Sequence, residues 1–237
     1  MTYAKAFFDL QLRFAHRVSV VGRMPLPRAL LEYTNLYVRF GLGRDFDPGQ
    51  ATWQQYLAGL GDARDAGEWT YRFYLSRPAT SPVVVGTFGC FSYARLPGDR
   101  IRLHFQNTET QGRSPLARAC LDRRLDDLRA LFGNVKRTLG ERPTVVGVSW
   151  LYNLEAYRRL FPGSYVATAR PLGGRFRYMP LWGQFLDRNG EAKEDMAREF
   201  VARLERQSSL DALEECFPLQ VLGLEASVRD FYGLYSL

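Results

Sequence analysis

The chain has 237 residues, 46% of them hydrophobic, and 32 Lys and Arg against 25 Asp and Glu give a formal charge of +7. That length and apolar content suffice for one large packed domain, and no apolar run approaches the ~20 residues that a membrane-spanning helix needs. Cys90, Cys120 and Cys216 are odd in number and far apart, with only His16 and His104 to join them, which argues against a zinc site or disulfide framework and fits a reducing cytoplasm.

In chain order, residues 1–22 are basic and amphipathic: Phe7, Phe8, Leu10, Leu12, Phe14 and Val18 are interrupted by Asp9, Arg13, His16 and Arg17. This is the pattern of a structural helix rather than the unbroken apolar centre of a signal peptide. Pro25 and Pro27 punctuate the chain, and Leu30, Leu31, Tyr33, Leu36, Tyr37 and Phe40 return at helical spacing until Gly41 and Gly43. A short helix follows at residues 52–60. From Trp69 to Ser76 apolar and polar residues alternate, which predicts a half-buried strand. Residues 83–93 read as an apolar strand, Leu96-Pro97-Gly98-Asp99 as a turn, and residues 101–106 as a third strand closing an antiparallel meander. In this last strand Ile101, Leu103 and Phe105 point one way and Arg102, His104 and Gln106 the other.

Ser114 followed by Pro115 reads as a capped helix start, with Leu116, Cys120, Leu121, Leu125, Leu128, Leu131 and Phe132 on the buried side. Residues 144–151 form a buried strand, Asn153 opens a short helix to Leu160, and Phe161-Pro162-Gly163 ends it. Residues 165–169 and 176–186 are expected as further strands. The tail is mostly helical from residue 191 to 207, with a strand at residues 221–224 and a final helical turn carrying Phe231 and Tyr232. The expectation is a single α+β domain over residues 1–237: a helical part at 1–65, a sheet-helix core at 69–187 and a mostly helical tail at 190–237.

Lysine occurs only at Lys5, Lys136 and Lys193, so nearly all positive charge is arginine. Two readings stand: a solvated basic surface, or recognition of phosphate and carboxylate by guanidinium forks. Hydrolase, P-loop and dinucleotide chemistries lack their G-x-S-x-G, G-x-x-x-x-G-K-S/T and G-x-G-x-x-G motifs. Asp122, Asp126 and Asp127 alternate with Arg118, Arg123, Arg124 and Arg129 at spacings that make ion pairs on a helix face.

The order of elements, and the run VVGVSWLYNLEAYRRLFPGSY with Asn153 and Ala156 as N-x-x-A, resembles the GNAT acyltransferase superfamily over about residues 69–186. The resemblance implies a mostly antiparallel mixed sheet flanked by helices. It also implies an acyl-CoA or acyl-carrier protein as cosubstrate, with no permanently bound cofactor, and a small amine as acceptor. In that family a loop of the form R/Q-x-x-G-x-G/A holds the cofactor pyrophosphate on backbone N–H groups. Here it corresponds to Glu109-Thr110-Gln111-Gly112-Arg113-Ser114, with Glu109 or Gln111 in the first position. Gln111, Gly112, Arg113, Ser114 and Arg118 are the implied phosphate contacts, and Asn153 the contact to the pantetheine arm. The family's general-acid tyrosine falls at Leu160 and Phe161, which leaves Tyr157 and Tyr152 as candidates for protonating the thiolate, and His104 as the candidate base. These departures keep open an alternative: a non-catalytic protein of the same architecture whose basic surface meets an acidic partner. Arginines interleaved with aromatics around Tyr157 and at residues 175–178 extend that alternative to nucleic acid.

Overall fold

The computed structural model describes residues 2–43, 46–77, 84–108, 114–174 and 176–237. In chain order the elements are α1 (Lys5–Val21), α2 (Leu26–Tyr33), α3 (Leu36–Arg39), α4 (Ala51–Asp62), α5 (Ala66–Leu75), β1 (Gly86–Phe88), β2 (Phe91–Leu96), β3 (Arg100–Phe105) and α6 (Leu121–Leu139). There follow β4 (Thr144–Ser149), α7 (Glu155–Arg158), α8 (Gly163–Ala167), β5 (Arg170–Pro171), α9 (Met179–Trp182), α10 (Glu194–Arg206), β6 (Leu222–Ser227) and α11 (Val228–Tyr235). The protein is α+β. Its residues group into two compact units, Met1–Ser81 with Gly174–Pro218, and Pro82–Gly173 with Leu219–Leu237, a partition that does not follow the segment boundaries read from the sequence.

The first unit is helical. Phe7, Phe8, Phe14, Ala15 and Val18 make α1 its central helix, packed by α2, α5 and α10. Residues 69–76, expected as a strand, lie in α5. Asp65 caps this helix by accepting from the Glu68 N–H at 2.9 Å. Trp69 and Phe73, four apart, pack with tilted rings at 5.6 Å, so the aromatic spacing that matches a strand's period of two also matches one helical turn. Gly59 of α4 admits the crossing, since a Cβ there would lie 2.2 Å from the Trp69 ring. Residues 176–186, also expected as a strand, form α9 and a 3-10 turn. Phe176, Trp182 and Phe185 there join Phe14, Phe200 and Phe217 in one ring cluster, with Trp182 5.1 Å and Phe200 4.9 Å from Phe217. Burying such rings together contributes the area term and the edge-to-face preference at once.

The second unit is a six-stranded sheet in the order β1-β2-β3-β4-β6-β5, antiparallel except for β3 with β4. Within the expected apolar strand at residues 83–93, the stretch 86–93 is a hairpin, because Gly89 turns the chain at φ +55° and a Cβ there would meet the Asp127 carboxylate at 2.1 Å. The turn at Gly98 and the strand after it lie where the sequence puts them. Helix α6 lays Leu128, Leu131, Phe132 and Val135 on Phe91, Tyr93, Ile101, Leu103 and Val145, and α11 adds Phe231 and Tyr235 to the same core. Residues 165–169, expected as a strand, are mostly α8, since Pro162 at φ −55° starts a helical turn that carries Tyr165 inward. β6 is the strand expected near residues 221–224, and it sits between β4 and β5. Among the described residues no helix is long and apolar enough to cross a membrane.

Candidate functional site

The one parallel pair of the sheet stays joined for only part of its length. β3 and β4 pair as Arg100 with Thr144, Ile101 with Val145 and Arg102 with Val146, and the ladder ends there. Each strand nevertheless continues beside its outer neighbour, β3 to Phe105 opposite Phe91 and β4 to Ser149 opposite Leu222. The two strands therefore fork. The Gln106 N–H donates to the Cys90 carbonyl, so alternation turns the backbone groups of Ile101, Leu103 and Phe105 away from β2 and toward β4. The Thr144 N–H donates to the Asp99 carbonyl, which puts the backbone of Thr144, Val146 and Val148 on the side of β3. Past the last rung, the Leu103 carbonyl, the Phe105 N–H and both backbone groups of Val148 line the fork.

One face of this fork is floored by tyrosines. Tyr152, in the 3-10 turn Trp150–Asn153, and Tyr165, on α8, are buried with hydroxyls 2.7 Å apart. Both oxygens press on β4 at Gly147, where a Cβ would lie 2.0 and 2.1 Å from them. Gly147 is the first β4 residue beyond the paired stretch, and its missing side chain is what admits the two phenols. Tyr157, on α7, packs its ring 5.1 Å from Tyr152 and 5.5 Å from Phe105 of β3. Burial, and then the neighbouring phenols, hold Tyr152 and Tyr157 well above the ordinary phenol range. Tyr165 is raised by burial, with the hydrogen bond to Tyr152 acting the other way. Tyr235 is raised by burial too, and its hydroxyl donates to the Leu160 carbonyl at 2.6 Å. All four stay protonated at neutral pH.

The structure thus brings Tyr152 and Tyr157 together, and adds Tyr165, which the sequence reading placed in a strand. His104 lies at the same height on β3, half-buried and opposite Ser92, but strand alternation turns it to the sheet face away from Phe105 and the phenols. Asn153 does not open a helix. It ends the 3-10 turn that Ser149 caps, and its Nδ2 donates to the Trp150 and Gln220 carbonyls at 2.7 and 2.8 Å. Ser114 is exposed and accepts from the Leu116 N–H at 3.3 Å, while α6 begins at Leu121, so Ser114-Pro115 closes a local turn instead of capping the long helix. Arg118 is exposed at the start of a 3-10 turn, Arg118–Cys120, that leads into α6. Arg159, at the end of α7, donates to the Leu116 carbonyl at 2.9 Å and ties this segment to the tyrosine-bearing helices. Gln111, Gly112 and Arg113 lie outside the described residues.

Beside the fork's open end, the buried Arg124 pairs with Asp127 at 2.9 Å and donates from Nη1 to the Cys90 sulfur. Asp127 in turn accepts from the Cys90 N–H, which fixes the β1–β2 hairpin to α6. The sequence put Arg124 among the ion pairs of a helix face, and the pair with Asp127 is there but buried; Gly89, which leaves room for Asp127, was the local sign of that burial. Charge is uneven as well. The sheet unit holds fifteen Lys and Arg against nine Asp and Glu, a net of +6, and the helical unit seventeen against sixteen, a net of +1. Among the described residues no group of His, Cys, Asp and Glu is arranged to hold a metal ion. Comparison with protein-family models, with curated proteins and with solved structures returns no match to this chain.

Proposed function

We propose that the sheet unit is a GNAT-like N-acyltransferase that takes an acyl group from acyl-CoA or an acyl-carrier protein and passes it to an amine. The observation that carries this reading is the fork: two strands that keep their outer partners and part from each other after Arg102 and Val146. Such a gap offers a ligand the N–H and C=O groups that the missing rungs leave over, and a pantetheine arm, with its amides in series, has the matching donors and acceptors. A group threaded through the fork meets His104 on one face and the phenols on the other. His104 is then placed to take the amine's proton, and Tyr157 or Tyr152 to give one to the departing thiolate. Asn153 uses both Nδ2 hydrogens on backbone carbonyls, so its contribution to the arm is Oδ1 as acceptor. Arg113 and Arg118 are the cations for the phosphates, and the +6 charge of this unit suits a phosphate-bearing or acidic donor.

The deep burial of Tyr152 and Tyr157 favours a second reading, in which the unit is a non-catalytic module that binds an acidic protein or nucleic acid through its arginines. Calorimetric titration with acetyl-CoA, a long-chain acyl-CoA and free CoA separates the two. The acyltransferase reading expects saturable heat with at least one acyl-CoA and competition by free CoA. Silence with all three leaves only the carrier-protein donor, and silence with an acyl-carrier protein as well, together with nucleic-acid binding that falls steeply with salt, removes the reading in favour of the second.

A further inference from the structure

We infer that Tyr165 is a positioning residue for proton delivery into the fork, an assignment that rests on the acyltransferase reading above. Of the four phenols beneath the fork, Tyr235 ends on a backbone carbonyl and is fixed there. Tyr165 is different: its hydroxyl meets the hydroxyl of Tyr152 at 2.7 Å, and both are pinned against the Gly147 backbone where β4 leaves β3. Tyr157 packs its ring 5.1 Å from that of Tyr152, so the hydroxyl pair of Tyr165 and Tyr152 is the bonded unit beneath the fork. A phenol hydroxyl both donates and accepts, so such a pair can reverse its polarity by rotating O–H bonds alone. When the hydroxyl of Tyr152 releases its proton to a departing thiolate, the negative charge is left on the Tyr152 oxygen in a dry core. Tyr165 is the group in contact that can turn its O–H onto that oxygen. The amine's proton leaves through His104 to solvent and Tyr152 takes one from solvent as the products depart, so no net charge remains.

Tyr165→Phe keeps the ring and its packing on Phe161 and Phe231 while deleting the hydroxyl. The test compares wild type with Tyr165→Phe for thiol release from acetyl-CoA and from palmitoyl-CoA, each with a pool of small primary amines, across pH. The assignment expects kcat to fall about tenfold with KM for the acyl-CoA unchanged, and the pH profile to shift; general acid catalysis as a whole contributes about a hundredfold or more. Thermal unfolding of both proteins serves as the fold control, with Tyr235→Phe as a second variant that removes a buried phenol outside the pair and leaves the pH profile in place. Wild-type turnover with an unchanged Tyr165→Phe rate and profile overturns the assignment alone. So does a shift of equal size in Tyr235→Phe, which makes the effect one of core stability. No turnover by the wild type with either donor or with an acyl-carrier protein overturns the acyl-transfer reading and this assignment with it.

Discussion

The two units bury aromatic rings in different company. In the helical unit, Phe14, Phe176, Trp182, Phe185, Phe200 and Phe217 touch one another as plain rings, and buried phenols lean on other chemistry, Tyr56 on Thr70 and Tyr37 on Arg177. In the sheet unit two buried phenols lean on each other, Tyr152 on Tyr165. A ring cluster needs only shape, and any well-fitting apolar residue stabilises it. A hydroxyl in the core costs more to desolvate than a phenylalanine would and recovers that cost only through a partner in the right place. Two phenols bonded to each other beneath a forked strand pair are therefore a feature that packing alone does not require.

The comparison can be broken most forcefully in the helical unit. Trp182→Ala should lose about 3–5 kcal/mol, read by denaturant unfolding, because the indole is fully buried against the rings of Phe14, Phe185, Phe200 and Phe217 and its Nε1 donates to the Phe176 carbonyl. A loss below about 1 kcal/mol would mean that this cluster does not hold the unit together. Next in size is Gly147→Ala, expected to cost about 2 kcal/mol by forcing Tyr152 and Tyr165 off β4. Combining it with Tyr165→Phe should recover part of that loss, since one of the two oxygens that the new methyl meets is gone. Strict additivity in this double-mutant cycle would show that the phenols do not sit on Gly147.

Alkaline pH sharpens the contrast further. A phenol whose folded pKa is raised contributes stability that is complete below its ordinary value of 10.0 and is lost as pH climbs above it, because the unfolded chain then releases the proton first. Each such buried phenol should remove about 1.4 kcal/mol per pH unit in that range. The sheet unit holds Tyr152, Tyr157, Tyr165 and Tyr235 in this condition, together with Tyr232, pushed up to about 12, whereas the helical unit holds Tyr56 and Tyr74. Trp150 should therefore change its fluorescence at lower pH than the tryptophans of the helical unit; simultaneous change at all of them would count against the contrast. The smallest effect is expected at Arg198→Ala on α10, within about 0.5 kcal/mol, because its pair with Asp195 is exposed.

Much of the sheet was legible in the residues. The alternation of Ile101, Leu103 and Phe105, the turn at Gly98 and the apolar run before Ser149 each fix one strand by local rules. The failures have a common cause. Trp69 to Ser76, and the stretches around Tyr165 and Phe176, carry aromatics whose spacing suits either period, and only the partners supplied by distant residues decide between them. Tyr152 and Tyr157 could be singled out from one short run. Tyr165 could not, because its place beside Tyr152 depends on Gly147 lacking a side chain, and a glycine in a buried strand does not announce what it makes room for.

β6 has a consequence for how the chain is made. The strand that flanks β4 and completes the outer wall of the fork belongs to residues 219–237, which leave the ribosome only after the whole of 174–218. During synthesis β4 is therefore exposed with one edge bare, while the segments of the helical unit are already all outside. A nascent chain at that stage carries an open strand edge next to buried-type apolar residues, the condition under which chaperone holding is most useful.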